Sequence, residues 1–191
     1  MQARETLVRV ASRLFVELGY DAVGVQEIVT EAGVTKPTLY HHFRNKRGLL
    51  DEVARRTEAS ISRVLDGLVG SAGYRGDLPH DLEELIEALL RFAREDPIAM
   101  RLMLAAQNGP SESEARLAFR PLWTGLSEEV ERFFASAAGD HGNMAGRETE
   151  YTVSLLGIVL AYAVQLLDGR LTPQPDRAHR IMRQFSYGIY S

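Results

Sequence analysis

The chain has no cysteine and a single tryptophan among its 191 residues. Without thiols it can form neither disulfides nor thiolate metal sites, which favours the reducing cytoplasm. Residues 1–13 mix charged with apolar side chains, so they lack the unbroken apolar segment of a signal peptide. The longest apolar stretch, residues 153–167, is interrupted by polar residues and falls short of the roughly 20 residues that span a membrane. We expect a cytoplasmic chain without a membrane partner, in which this stretch is a buried helix.

The net charge of −4 is small and unevenly distributed. Residues 1–56 carry nine Lys or Arg and seven Asp or Glu, whereas residues 57–191 carry thirteen and nineteen. A mildly basic start and an acidic remainder allow a nucleic-acid partner at the N-terminal end. Such a small basic excess does not decide the matter, so the motifs have to. With 45% hydrophobic residues, the chain is able to bury a sizeable core.

Three short helices are predicted at the N-terminal end. The first has one apolar stripe at steps of three and four residues and ends at Gly19, after which Tyr20 folds back over its last turn. The second ends at Gly33, and the third covers residues 36–43 with Thr35 as its N-cap. The stripe of the first helix comprises Leu7, Val10, Ala11, Leu14, Phe15 and Leu18, and that of the second comprises Val25, Ile28, Val29 and Ala32.

The second and third helices are spaced as a helix-turn-helix, in which the second of the two, the recognition helix, enters the major groove of DNA. Leu39 and Phe43 lie four residues apart and face the other two helices. The remaining surface of the recognition helix is rich in groups that reach base edges or phosphates. It consists of Lys36, Thr38, Tyr40, His41 and His42. Asn45 then caps a fourth helix, whose first turn places Lys46 and Arg47 beside the recognition helix.

Residues 19–50, GYDAVGVQEIVTEAGVTKPTLYHHFRNKRGLL, resemble the signature of the TetR (tetracycline-repressor) family of transcriptional regulators. The most diagnostic part is AGVTKPTLYHHFRNK, and the resemblance covers about the first 60 residues. It implies that the chain binds double-stranded DNA, with Tyr40 and Lys46 on phosphate. The residues that it assigns to the DNA interface are Gly24, Val25, Gln26, Thr35, Lys36, Thr38, Tyr40, His41, His42 and Lys46.

Two glycines depart from the family pattern. Gly24 stands where Ser or Thr is frequent, so the second helix has no side-chain cap and only backbone N–H groups can bind phosphate there. Gly48 stands where Glu or Asp is frequent, so the reciprocal capping box of the fourth helix is lost.

Simpler interpretations of these residues remain open. Helix-turn-helix spacing alone also occurs in helical domains that never bind DNA. His41 and His42 have no further His or carboxylate pair at ligand spacing, so we predict no metal site. Lys46 and Arg47 also suit a solvated first turn, and Tyr40 also suits a partly buried ring.

The rest of the chain predicts a helical body. The fourth helix continues to Gly70, and residues 70–79 form a loop. Further helices cover residues 82–93, 96–109, 111–138 and 147–167, and a last one runs from Pro175 through Phe185 and Ile189. Because no strand-like alternation occurs, we predict an all-α fold with about nine helices. We assign residues 1–46 to a helix-turn-helix DNA-binding domain and residues 47–191 to a ligand-binding and dimerisation domain.

The sequence contains neither a nucleophile elbow, nor a Gly-rich phosphate loop, nor a His-Glu-x-x-His motif, so we expect no enzyme and no cofactor. The resemblance instead implies a ligand cavity in the body, which we expect to take a small hydrophobic compound, neutral or singly charged. The candidate lining is Phe92, Met100, Met103, Leu104, Gln107, Phe119, Trp123, Leu126, Tyr151 and Leu155, with Gln107 and Tyr151 as polar anchors. The simpler interpretation of each is ordinary core.

The resemblance also implies a homodimer on a palindromic operator, in which the last two helices of each subunit form an intersubunit four-helix bundle. Gly157 and Ala161 lie four residues apart and allow close backbone approach, either there or within one subunit. We therefore predict a ligand-responsive transcriptional repressor that a small hydrophobic ligand releases from operator DNA. The alternatives are a regulator or activator that needs its ligand or a protein partner to bind DNA, and a helical interaction module without DNA binding.

Overall fold

The computed structural model of the protein describes residues 2–142 and 144–188, apart from the side chain of Ser71. Helices are the only regular elements in these residues, which confirms the predicted all-α fold. They are α1 (Gln2–Leu18), α2 (Val25–Ala32), α3 (Lys36–Phe43), α4 (Lys46–Val64), α5 (Gly70–Gly73), α6 (Leu78–Glu95), α7 (Pro97–Asn108), α8 (Glu114–Ala137), α9 (Glu148–Leu167) and α10 (Arg177–Tyr187). Because α5 is a single turn, nine longer helices remain in the described residues, as the sequence predicts. The predicted place of Ile189 in the last helix lies outside the described residues.

The chain folds as two compact units. The first comprises residues 1–60 and 98–123, and the second comprises residues 61–97 and 124–191. The first unit therefore joins the three N-terminal helices to α7 and to the start of α8. The predicted functional boundary after residue 46 stays a prediction.

The first unit is built on α1, which packs against α2 and α3. Its apolar stripe is buried as predicted from Leu7 to Phe15, but Leu18, the last residue of the helix, is 51% exposed, so the stripe ends one turn earlier than the sequence suggests. Gly19 ends the helix with a φ of +83°, and the Tyr20 ring packs edge-on against Phe15, with 5.1 Å between ring centroids. The predicted fold-back of Tyr20 is confirmed.

A tight junction separates α3 from α4. The Asn45 N–H donates to the Phe43 carbonyl at 2.7 Å, which closes a γ-turn around Arg44, whose φ is +65°. Asn45 Oδ1 then accepts from the Gly48 N–H at 2.7 Å, so Asn45 caps α4 as predicted. A Cβ at Gly48 would lie 2.1 Å from the Phe43 carbonyl oxygen. The chain therefore has glycine at this position because no side chain fits the junction.

Three predicted helix limits are wrong. The fourth helix ends at Val64 rather than near Gly70, because a turn follows in which the Leu68 N–H donates to Leu65 and Gly67 has a φ of +73°. The predicted loop 70–79 contains the single turn α5 and the start of α6. The eighth helix begins at Glu114, three residues after its predicted start, because Ser113 is the residue whose hydroxyl accepts from the first turn.

The second unit is organised around α6, which packs against α9 and α10. The predicted apolar face of α6 is buried throughout, as is the α9 stripe. That α9 stripe consists of Thr152, Leu155, Leu156, Val159 and Ala163. The last helix begins at Arg177 instead of Pro175 and buries Ala178, Ile181 and Met182, whereas Phe185 is half-buried.

The opposite face of α9 is uncovered. Val153 is 66% exposed, Gly157 and Ala161 are also exposed, and no described atom lies within 4 Å of a Cβ built on Gly157. The helix predicted to be buried is therefore covered on one face only by the described part of the chain. Among the described residues, α9 alone is long and apolar enough to cross a membrane by length and composition, a property shared by the core helices of water-soluble proteins.

Candidate nucleic-acid interface

The orientation of α3 follows from its two apolar residues. Leu39 and Phe43 are buried, which turns the polar residues of the helix outward. Lys36, Tyr40 and His41 are exposed, whereas Thr38 and His42 are half-buried. Tyr40 is 45% exposed, so it lies largely outside the core. In the described residues no group of three His, Asp or Glu side chains is arranged to hold a metal ion.

The start of α3 is fixed by a pair of threonines. Thr35 has extended backbone and its Oγ1 accepts from the Thr38 N–H at 3.4 Å, which confirms the predicted N-cap. The two hydroxyls also bond to each other at 2.9 Å. Because one hydroxyl proton occupies that bond, the other remains able to donate outward to a phosphate or a base edge. Both predicted contact residues thus lie together at the N-terminal end of the recognition helix.

The start of α2 offers backbone rather than side-chain donors. Gly24 is the N-cap, with extended backbone and no side chain to cap the helix, as predicted. The first N–H groups of a helix have no intrahelical acceptor and carry partial positive charge, which suits a phosphate oxygen. Gly24 and Gln26 are exposed and Val25 is half-buried. The Gln26 side chain donates to Thr30 at 3.1 Å, which holds it along its own helix.

Lys46 has a structural role that the sequence did not reveal. Its ammonium group donates to the carbonyl oxygens of Tyr20 and Val23, at 2.9 Å each, and lies 4.1 Å from the centroid of the Tyr20 ring. These contacts tie the first turn of α4 to the turn between α1 and α2. An ammonium group has three donors, so one remains for the predicted phosphate contact.

Sequence reasoning also missed Arg44. This residue follows the recognition helix directly and is exposed, on the γ-turn described above. The signal was the basic residue between Phe43 and Asn45, which the motif contains but which the interface prediction left out. The neighbouring Arg47 pairs with Asp51 at 2.8 Å, so its charge is partly neutralised.

A buried carboxylate fixes α1 against α4. Glu52 is only 9% exposed and pairs with Arg4 at 2.9 Å, while the Arg55 and Arg56 guanidinium groups donate to it at 2.6 to 3.0 Å. Burial acts to raise the pKa of Glu52, but the hydrogen bonds from the arginines outweigh it and lower the pKa to about 2. Arg56 also binds Glu5 of α1 at 2.5 and 2.7 Å. This network holds the first helix of the DNA-binding region in place.

The ten candidate ligand-lining residues are divided between the two units. Met100, Met103, Leu104, Gln107, Phe119 and Trp123 belong to the first unit, and Phe92, Leu126, Tyr151 and Leu155 belong to the second. Most are buried or half-buried, and the Trp123 indole donates to the Met103 carbonyl at 3.3 Å. Gln107 is exposed, which does not suit an interior anchor. The lining stays a prediction.

The second unit contains two features that sequence reasoning missed. Tyr151 belongs to an aromatic cluster with Phe134 and Phe185, whose ring centroids lie 5.6 and 6.3 Å from its own. The next residue, Thr152, is 2% exposed, and its hydroxyl has no hydrogen-bond partner in the described part of the chain. The sequence signal for Thr152 was a lone hydroxyl in the apolar stripe of α9.

A separate groove of about 380 Å³ on α6 contains none of the ten candidates and is lined by Leu68, His80, Glu83, Glu84, Glu87, Ala88, Arg91, Pro175 and Ala178.

Similarity to known proteins accords with this geometry. Residues 7–53 match the family model of bacterial regulatory proteins of the tetR family. The chain is 27% identical over 187 residues to the transcriptional activator FasR of Mycolicibacterium smegmatis, covering 98% of this chain and 82% of FasR. It is 30% identical over 138 residues to the transcriptional repressor KstR2 of Rhodococcus jostii, covering 65% of this chain and 63% of KstR2.

A solved structure shares the fold over nearly the whole length. The transcriptional regulator FadR of Bacillus subtilis, in complex with stearoyl-CoA, superposes with a TM-score of 0.75 at 16% identity, covering 97% of this chain and 98% of FadR. At that identity the likeness shows the fold alone. The function in transcription is indicated by the match of residues 7–53 and by the similarity to FasR and KstR2. Residues 7–53 therefore belong to the TetR family of bacterial regulatory proteins, and the chain as a whole is similar to DNA-binding transcriptional regulators.

Proposed function

We propose that the chain represses transcription as a homodimer on a palindromic operator and is released by a small hydrophobic ligand. The outward polar face of α3 carries the DNA part of this proposal, because Lys36, Tyr40 and His41 are exposed on one short helix whose other side is anchored in the core. In this arrangement the Tyr40 hydroxyl and the first N–H groups of α2 contact phosphates, whereas Lys36 and His41 reach base edges. Such a regulator works in the cytoplasm, where the chromosome lies.

The uncovered face of α9 supports the homodimer. An exposed stripe that contains Val153, Gly157 and Ala161 leaves apolar surface in water unless a partner covers it. A second copy presents the same stripe, and small residues at positions 157 and 161 permit two such helices to approach closely. Two DNA-binding regions would then meet two half-sites of a palindromic operator.

The ligand is proposed from the body. FadR of Bacillus subtilis was solved with stearoyl-CoA, and the second unit of this chain contains an aromatic cluster around the buried Phe134. It also contains the buried Thr152 hydroxyl, which has no hydrogen-bond partner among the described residues. Mostly apolar linings with one or two polar groups are usual for small-molecule sites. We therefore propose a long acyl chain as the ligand class, with a neutral or singly charged head group that bonds to Thr152 in place of the predicted Gln107.

Repression and activation differ in the sign of one coupling free energy. A ligand that prefers the arrangement with poor DNA affinity must weaken DNA binding, and one that prefers the other arrangement must strengthen it. FasR is named an activator and KstR2 a repressor, so a ligand-dependent DNA binder is the second candidate.

The test uses DNA from the region upstream of the gene and a random duplex of equal length. Fluorescence anisotropy should show tighter binding to the upstream DNA than to the random duplex, and stearic acid should weaken binding to the upstream DNA. Stearic acid at about 100 times its Kd should also stabilise the protein by roughly 2.7 kcal/mol in thermal unfolding. Equal affinity for both duplexes would favour an interaction module, and tighter binding with stearic acid would favour the second candidate.

Stearoyl-CoA is the second probe, because it carries the same chain on a multiply charged head group. Stabilisation by stearoyl-CoA alone would contradict the proposed head-group chemistry. Stabilisation by either compound without any change in DNA affinity would contradict the coupling. The variant Thr152→Val, which keeps the side-chain shape but removes the hydroxyl, should weaken stearic acid binding while leaving operator affinity unchanged in the absence of ligand.

A further inference from the structure

Tyr20 connects the DNA-binding region to the start of α8. The residue lies in the turn after α1, where its ring is buried against Phe15. Its hydroxyl donates a hydrogen bond to the carboxylate of Glu114, the first residue of α8, 94 positions along the chain. Burial and this contact both raise the pKa of Tyr20, so the hydroxyl keeps its proton and remains a donor at neutral pH.

The same ring also bears the Lys46 ammonium group. Lys46 Nζ lies 4.1 Å from the ring centroid and donates to the carbonyl oxygens of Tyr20 and Val23. A hydroxyl that donates to a carboxylate makes its ring more electron-rich, which strengthens the attraction of a cation to the ring face. Glu114, Tyr20 and Lys46 therefore form a continuous chain of contacts that ends beside the recognition helix.

The corner between α7 and α8, which bears Glu114, is fastened by Arg116. The Arg116 guanidinium donates to the carbonyl oxygens of Gln107 at 2.6 Å and Gly109 at 3.1 Å. The backbone N–H of Arg116 donates to the Ser113 hydroxyl at 3.2 Å. These bonds fasten the corner between α7 and α8, so a displacement of that corner would carry Glu114 with it. The corner and Tyr20 belong to the same compact unit.

We propose that Glu114 is a positioning residue for operator binding, which acts through Tyr20 to hold the turn between α1 and α2, and Lys46 with it, in the arrangement that fits DNA. Loss of this contact is the step by which a movement of α7 and α8 lowers operator affinity. The inference rests on the proposed DNA-binding function and adds to it the residue that couples the body to the interface.

The sign of one substitution separates this role from simple electrostatics. DNA is a polyanion, so neutralising an acidic residue near it should tighten binding slightly. Positioning predicts the reverse for Glu114. The matched control is Glu112→Gln, which removes the same charge two residues earlier at another exposed position.

Operator affinity of the ligand-free protein is measured by anisotropy for Glu114→Gln, Glu114→Ala, Tyr20→Phe, the double variant Tyr20→Phe with Glu114→Ala, and Glu112→Gln. We expect about five- to tenfold weaker binding for Glu114→Ala and Tyr20→Phe, a smaller loss for Glu114→Gln because an amide oxygen still accepts, and no loss for Glu112→Gln. The double variant should bind as the weaker single variant does, because both changes break one contact. Circular dichroism and thermal unfolding confirm that each variant is folded.

Two outcomes would overturn the inference while wild-type binding stands: Glu114→Ala binding as tightly as Glu112→Gln, or losses that multiply in the double variant. A wild-type protein that shows no preference for operator DNA would instead refute the proposed function itself. The two failures are therefore distinguishable in the same set of measurements.

Discussion

Single charged residues around the recognition helix divide into those that hold the fold and those that face solvent. Lys46 donates to two carbonyl oxygens, and Arg47 pairs with Asp51. Lys36 and Arg44 are exposed, at the start and just past the end of α3. Because a lysine that already donates twice has only one donor left for phosphate, we expect Lys46 to contribute to DNA affinity chiefly by holding the N-terminal helices in place. We expect Lys36 and Arg44 to contact DNA directly.

The first residue-scale prediction separates positioning on DNA from reading of its sequence. Tyr40→Phe removes a hydroxyl proposed to bind phosphate, so it should weaken binding to operator and random DNA by the same factor. His41→Ala should weaken operator binding more than random binding, since base contacts carry discrimination, at about 1–3 kcal/mol for a good contact. Anisotropy titrations with both duplexes at several salt concentrations measure the ratio. An unchanged ratio in His41→Ala would remove that residue from the reading surface.

The second residue-scale prediction concerns pH and Glu52. Folding lowers its pKa from the ordinary 4.5 to about 2, so its ion pairs stabilise the folded protein above pH 4.5 and lose that effect as the pH falls towards 2. Glu52→Gln should therefore cost roughly 2–3 kcal/mol in urea unfolding at pH 7 and much less near pH 2. Glu58→Gln, an exposed change on the same helix, is the control and should be neutral. A cost for Glu52→Gln that does not vary with pH would show that packing, rather than charge, is responsible.

At the scale of elements, two glycines at helix starts have opposite surroundings, which predicts opposite effects of one substitution. Gly48→Ser places a Cβ where the Phe43 carbonyl lies 2.1 Å away, so the junction of α3 and α4 must open and the protein should lose more than about 2 kcal/mol. Gly24→Ser meets no described atom within 4 Å and adds a cap to α2, for a gain of a few tenths of a kcal/mol. Urea unfolding of both variants decides it. A neutral Gly48→Ser would mean that the junction relaxes freely.

The elements show which information the sequence carries. Helices α1 to α3 were predictable because their limits depend on local signals: Gly19, Gly33 and the Thr35 cap each act within one turn. The end of α4 was not, since the apolar period continues beyond it and the chain is turned by Asp66 and Gly67 instead.

The candidate site divides in the same way. The exposed face of α3 follows from the helical period once Leu39 and Phe43 are assigned to the core. The bonds of Lys46 to Tyr20 and of Tyr20 to Glu114 join residues 26 and 94 positions apart, and no local pattern encodes them. The sequence places a lone hydroxyl, that of Thr152, in the apolar stripe of α9, but only the structure shows that this hydroxyl has no hydrogen-bond partner among the described residues.

For the whole molecule, the proposed regulation requires that ligand and DNA influence each other equally. If stearic acid lowers operator affinity by some factor, operator DNA must lower stearic acid affinity by the same factor. The first unit contains both the recognition helix and the corner of α7 and α8, so one compact unit includes an element of the body and the surface that meets DNA. Regulation then needs only a small displacement of that corner, transmitted by Glu114 and Tyr20.

The whole-molecule prediction is that assembly depends on the open face of α9. Gly157→Leu adds a bulky side chain where one chain has empty space, so folding of the subunit should be unaffected, but two α9 helices could no longer approach. Light scattering should show monomers with unchanged helical circular dichroism. Operator affinity should fall steeply, because a monomer binds only one half-site. In a dimer, binding of one half-site raises the effective concentration of the second DNA-binding region at the other half-site. Gly125→Leu, a half-buried glycine of α8 with similar space around it, is the control and should stay dimeric. A Gly157→Leu protein that remains a dimer would place the subunit interface on a different surface.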